Sequence, residues 1–135
     1  MMTDLEALTL TIWGEARGEP IEGKIGVAMV MRNRLLSKYR GALTYIEVCT
    51  AHAQFSAWTE ESNQMLAEAH VLELSQHPDP VLQLCIEIAK ATINVKLADN
   101  TVGANHYYAD SIPAPFWAIG KPFVQLGSQK FLIAA

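Results

Sequence analysis

Apolar residues recur along this chain in short helical stripes, separated by polar, glycine- or proline-bearing breaks. Leu5, Leu8 and Ile12 stand three and four apart, the period of one buried helix face. Thr3 and Glu6, just ahead of them, have capping-box spacing and open that helix. Gly14 weakens it near its end, and Gly18, Glu19 and Pro20 stop it. A second helix is predicted over 22–38, with Ile25, Ala28, Met29 and Leu36 on one side and Val30 and Met31 widening the apolar face. Gly23 and Gly26 cost that helix stability and point to a close helix contact. Thr44 and Glu47 repeat the capping-box spacing ahead of a short helix through Cys49. Residues 53–58 have no helical period and read as loop or short strand, whereas Met65, Leu66, Ala69 and Leu72 or Leu74 suggest a helix over 59–77. Asp79 then supplies an N-cap with Pro80 at the first helical position. The helix predicted over 80–97 buries Val81, Leu84, Cys85, Ile88 and Val95.

The pattern changes after Asp99 and Asn100. Residues 103–108 read as a strand, 112–122 as a proline-rich loop, and 123–133 as one or two strands around Gly127. Helices first and strands last predict an α+β fold, mostly helical, with a small sheet in the C-terminal part. At 135 residues the chain suits a single domain, 1–135, with one core.

Composition removes several function classes. Half the residues are hydrophobic and 18% are charged, which fits a compact domain. A net charge of −4 with no Lys/Arg run argues against nucleic acid and anionic membrane as partners. No apolar stretch is long enough for a membrane span and no signal peptide is visible at the N-terminus, so a soluble, cytoplasmically made monomer is expected. Cys49 and Cys85 lack CxxC spacing and a neighbouring His cluster, so no metal and no cofactor are expected. Both read as small buried side chains; a workplace outside the cytoplasm would leave room for a disulfide.

Three segments carry candidate chemistry. In the first, Trp13, Gly14, Glu15, Ala16, Arg17, Gly18, Glu19 and Pro20, two carboxylates flank an arginine. Glu15 falls in the last helical turn, near the negative end of the helix dipole, and burial beside Trp13 would further favour its protonated form. A protonated carboxylic acid is what glycosidic cleavage needs at the leaving oxygen. The plainer alternative has Glu19 capping the second helix and Glu15 pairing with Arg17 or Arg34, and spacing alone favours it. The second segment, Gln54, Phe55, Ser56, Ala57 and Trp58, joins rings to hydrogen-bonding groups as sugar sites do, though Phe55 and Trp58 also suit a core. The third is Asn105, His106, Tyr107 and Tyr108, followed by Pro113, Pro115 and Trp117. Strand alternation puts Asn105 and Tyr107 on one face and His106 and Tyr108 on the other. A lone His such as His106 is more often structural than catalytic, and there is no nucleophile elbow or phosphate-binding glycine loop.

Taken together and in order, these segments resemble the cell-wall hydrolase family that includes the spore-cortex-lytic enzyme and related phage lysins. The resemblance runs from about Leu5 to Phe131. It rests on Gly14 to Pro20 (GEARGEP), Val27 to Arg34 with its closing Asn33-Arg34, Gln54 to Trp58, Gly103 to Tyr108, Trp117, and Leu126 to Phe131. It implies a lysozyme-like α+β catalytic domain acting on the MurNAc–GlcNAc strands of peptidoglycan, in known cases as a lytic transglycosylase. It further implies that Glu15 is the catalytic acid. Glu19, Gln54, Phe55, Ser56, Trp58, His106, Tyr107, Tyr108 and Trp117 are then the candidate substrate-binding residues. Two positions depart from the family pattern: Gln129 stands where a His is usual, and Tyr108 where many members have a second His. Hydrolysis by a muramidase, with Glu19 as second carboxylate, and a non-catalytic glycan-binding or virion role are the alternatives.

Overall fold

The computed structural model describes residues 3–52 and 79–134. Among them lie four helices, α1 (Asp4–Ala16), α2 (Ile21–Leu36), α3 (Tyr45–His52) and α4 (Pro80–Ile93), and then strands β1 (His106–Ala109), β2 (Val124–Leu126) and β3 (Gln129–Leu132). The expected α+β order is present, with the sheet in the C-terminal part. Residues 53–58 and the helix expected over 59–77 lie outside the described residues.

Local chemistry sets the helix starts. Thr3 Oγ1 accepts from the Glu6 amide at 3.1 Å, and the Glu6 carboxylate accepts from the Thr3 amide at 3.0 Å. Thr44 Oγ1 accepts from the Glu47 amide at 3.1 Å, ahead of α3. Asp79 Oδ1 accepts from the amides of Val81 and Leu82, and Pro80 follows it with no amide to satisfy.

The core sits where α1 packs against α2, α3 and α4. Leu8, Ile12, Val27, Met29, Met31, Cys49 and Cys85 are fully buried there. Helix α2 buries the unbroken run from Gly26 to Met31 because helices and strands cover it on several sides. Three residues expected inside are outside. Leu36 lies 73% exposed in the last turn of α2, and Val81 is 38% exposed in the first turn of α4. Val95 lies beyond the end of α4, 75% exposed, with a left-handed φ of 56°. Leu36 and Val81 stand in terminal turns, and Val95 falls past the end of the helix, where the helical period no longer applies.

The sheet has the order β1-β3-β2, antiparallel throughout, with Tyr107 opposite Phe131 and Gln125 opposite Lys130. Gly127, at φ 62°, turns the β2–β3 hairpin. Gly26 does mark a close approach, but to a strand and not to a helix: a Cβ there would lie 2.6 Å from Cζ of the buried Phe131. Both cysteines are buried free thiols, and burial pushes each up to about 12. No helix among the described residues is long and apolar enough to cross a membrane.

Candidate active site

Glu15 ends α1 half-buried, at the edge of a cleft of about 420 Å³. Arg34 of α2 and the residues of β1 line it too, and the connector before β1 is tied to α2. Three consecutive residues at the end of α2 fasten that connector. Arg32 Nη1 donates to the Leu97 carbonyl at 2.8 Å, and Asn33 Nδ2 to Asp99 Oδ2 at 3.0 Å and the Ala104 carbonyl at 2.9 Å. Arg34 Nε donates to the Asn105 carbonyl at 2.8 Å. Asp99 tightens the same turn by accepting from the Thr101 and Gly103 amides. Burial acts to raise the Asp99 carboxyl, but hydrogen bonds from Thr101 and Asn33 together outweigh it and hold the group below its ordinary value. The connector thus delivers β1 to the sheet in one register.

That register brings Tyr107 to Glu15. Its hydroxyl donates to Glu15 Oε1 at 2.5 Å, and its ring packs on Phe131 at a centroid distance of 5.4 Å. Burial, the Glu15 charge and this hydrogen bond push the Tyr107 phenol well above its ordinary value, so it stays a donor. On the other face of β1, His106 and Tyr108 both meet the Trp117 ring, at 5.0 and 5.8 Å. The expected alternation holds, and both faces of β1 contribute to the cleft because the loop after the strand folds Trp117 against the outer one.

Five of the predicted residues therefore come together around the cleft: Glu15, His106, Tyr107, Tyr108 and Trp117. Glu19 is not among the residues lining it. Its carboxylate reaches the hairpin instead, accepting from the Ser128 amide at 2.8 Å and from Ser128 Oγ at 2.6 Å. The Glu19 backbone carbonyl accepts from the buried Lys24 ammonium. Gln54, Phe55, Ser56 and Trp58 lie outside the described residues. Trp13 packs on Leu82 and Ile86 and takes the Arg17 guanidinium over its ring at 4.2 Å; the ring bonded to Glu15 is Tyr107.

Four polar lining residues were not picked out as site residues from sequence: Arg34, Tyr39, Arg40 and Gln129. The buried Arg34 guanidinium lies over the Tyr39 ring at 4.8 Å, and desolvation lowers its pKa. Arg40 covers the same ring at 5.2 Å from a left-handed backbone, φ 52°. Nothing local in the sequence marks Tyr39 and Arg40, because they reach the cleft through a turn and not through a periodic element; Arg34 in α2 and Gln129 in β3 stand in the segments that carry the resemblance, which gave neither a site role. Among the described residues no group of three or more His, Cys, Asp or Glu is placed to hold a metal.

Comparison with known proteins agrees with this fold. The catalytic domain of the germination-specific lytic transglycosylase SleB from Bacillus anthracis superposes with a TM-score of 0.70 at 22% identity, over 96% of this chain and 93% of that one. The catalytic domain of the Bacillus cereus SleB protein gives 0.56 at 20% identity, over 96% and 88%. At such identities these likenesses speak for the fold, a SleB-like catalytic-domain fold. In sequence, 82 residues are 34% identical to a spore cortex-lytic enzyme of Oceanobacillus iheyensis, covering 57% of this chain and 29% of that relative. The chain thus spans under a third of the length of that relative. Residues 18–132 match the Cell Wall Hydrolase family, a span that begins just after Glu15 and takes in α2, the sheet and most of the cleft wall. A match across most of the chain, joined to the same fold, makes this protein a member of the cell wall hydrolase family.

Proposed function

We propose that the cleft cuts peptidoglycan glycan strands at the MurNAc–GlcNAc bond by lytic transglycosylation, with Glu15 as acid and then base. One observation carries the reading: among the described residues that line the cleft, Glu15 is the only carboxylate. A retaining lysozyme needs a second carboxylate roughly 5 Å away, and an inverting one needs it farther off with a water between. Glu19, the nearest alternative in sequence, is occupied with Ser128.

A single carboxyl suffices when the nucleophile belongs to the substrate. The Tyr107 hydroxyl donates to Oε1, which leaves the acid proton to Oε2. That proton passes to the glycosidic oxygen as the C1–O bond breaks. The C6 hydroxyl of the same sugar then attacks C1, closing a 1,6-anhydro ring, and returns its proton to Glu15. No water is consumed and the acid is regenerated. The attack is intramolecular, at effective molarities that can reach ~10⁵ M or more. The Tyr107 phenol, held well above its ordinary value, remains a donor throughout. His106, Tyr108 and Trp117 supply ring surface and hydrogen-bonding atoms for the sugar.

Digestion of purified peptidoglycan in ¹⁸O-water tests the scheme. Anhydro ends without label are expected. Label at C1 would make the protein a muramidase, and binding of glycan without any new ends would make it a binding module.

A further inference from the structure

Gln129 opens β3, pairing with Ala109 on one side and Leu126 on the other. It is 9% exposed and lines the cleft. Its Nε2 donates to the backbone carbonyl of Glu15 at 3.4 Å. That carbonyl belongs to the last turn of α1, where carbonyls lack partners within the helix. A carbonyl oxygen can only accept, so the amide has one chemically sensible orientation: NH₂ toward Glu15, Oε1 away from it. The Oε1 atom is buried and, among the described residues, has no hydrogen-bond partner. Buried polar atoms are seldom left so, and in a residue that lines the cleft this points to a donor brought by what the cleft binds. The Arg34 and Arg40 guanidinium groups that line the same cleft can only donate.

We propose that Gln129 is a substrate-contacting residue whose Oε1 accepts a hydrogen bond from the bound N-acetylated glycan, while its NH₂ secures the end of the helix that carries Glu15. The inference rests on the cleft being the glycan site. An N-acetylated sugar offers two kinds of donor, the acetamido N–H and ring hydroxyls, and Oε1 suits either.

The test is calorimetric binding of a soluble GlcNAc–MurNAc tetrasaccharide to chains carrying Glu15→Gln, so that nothing is cut. Adding Gln129→Met removes both polar ends at similar volume, and binding about tenfold weaker is expected, the scale of one neutral hydrogen bond. Gln129→His is the sharper variant. A neutral imidazole can donate with one nitrogen to the Glu15 carbonyl and accept with the other. Binding should therefore be retained at pH 8 and lost as the imidazole protonates, near its ordinary value of about 6.5. The measured quantity is the ratio to the Gln129 parent at each pH, which cancels any pH dependence the variants share. A residue that only held the fold would show no such limb.

Unchanged binding by Gln129→Met in folded protein, or a Gln129→His ratio flat with pH, overturns the proposal. If the wild type cuts walls while both variants bind like their parent, only this proposal falls. A wild type that neither binds nor cuts glycan removes the reading beneath it as well. A tetrasaccharide with N-methylated acetamido groups identifies the donor. If its penalty is not increased by Gln129→Met, the N–H is the partner; if the two losses add, a hydroxyl is.

Discussion

Glu15 and Tyr107 lie 92 residues apart in the chain and share one short hydrogen bond. On the proposed mechanism, replacing Glu15 by Gln removes the proton donor, and wall lysis should fall by at least ~10²–10⁴-fold with the melting curve unchanged. Retention of activity within a few-fold of wild type would end the assignment. Tyr107→Phe is the subtler change. A donor on a carboxylate favours its ionised form, so removing the hydroxyl favours the protonated acid. The acid must be protonated to act, and the alkaline limb of the pH–activity profile should therefore move to higher pH. The lost orientation should also lower kcat by ~10–100-fold. A lower rate with an unmoved limb would mean that the hydroxyl does not act through Glu15. Glu19→Gln should cost about 1–2 kcal/mol of stability, since only part of its grip on Ser128 survives. It should impair lysis less than Glu15→Gln does, and paired melting and turbidity measurements on both variants decide this.

At the scale of elements, the sequence was legible where the cause is local. The caps at Thr3, Thr44 and Asp79 act within three or four residues, so helix starts could be read from spacing. Strand alternation placed Tyr107 opposite in sense to His106 and Tyr108 for the same reason. Non-local causes were hidden. The Asn33-Arg34 pair read as a motif without a mechanism; its partners are Asp99, Ala104 and Asn105, some seventy residues on. Gly26 read as a helix contact because nothing near it in sequence announces Phe131. That contact leads to the site, since Phe131 carries the Tyr107 ring. Gly26→Ala would set a Cβ 2.6 Å from Cζ and 2.9 Å from Cε1 of that ring. Overpacking of this kind costs about 1–3 kcal/mol. We expect a lower melting temperature together with reduced lysis per folded molecule. Full specific activity alongside the lower melting temperature would show that Phe131 does not transmit to Tyr107.

The whole molecule should weaken in alkali in a way set by its buried neutral groups. Burial raises the Cys49 and Cys85 thiols to about 12, while in the unfolded chain they ionise near their ordinary value. Below about pH 8 both thiols are neutral in either state and add no pH dependence. Above it the unfolded chain loses protons that the folded chain keeps. Stability should then fall as pH rises toward 12, by up to about 1.4 kcal/mol per pH unit for each thiol. The Tyr45 and Tyr107 phenols, also raised by burial, add to the fall above about pH 10. Urea midpoints at pH 8 and pH 10.5 measure it, and equal midpoints would contradict the burial of these groups.

The sheet order has a consequence for the timing of synthesis. Its middle strand, β3, is also the last of the three in the chain. When a ribosome has made Glu15, the residue that orients it is still 92 codons away, ~5–20 s at ordinary elongation rates. Tyr107 itself arrives before β3, and until β3 emerges β1 and β2 have no strand between them. A nascent chain that stops short of β3 therefore holds Glu15 without the strand that pairs with β1 and carries Gln129, so the cleft forms around Glu15 only once translation has passed Leu132.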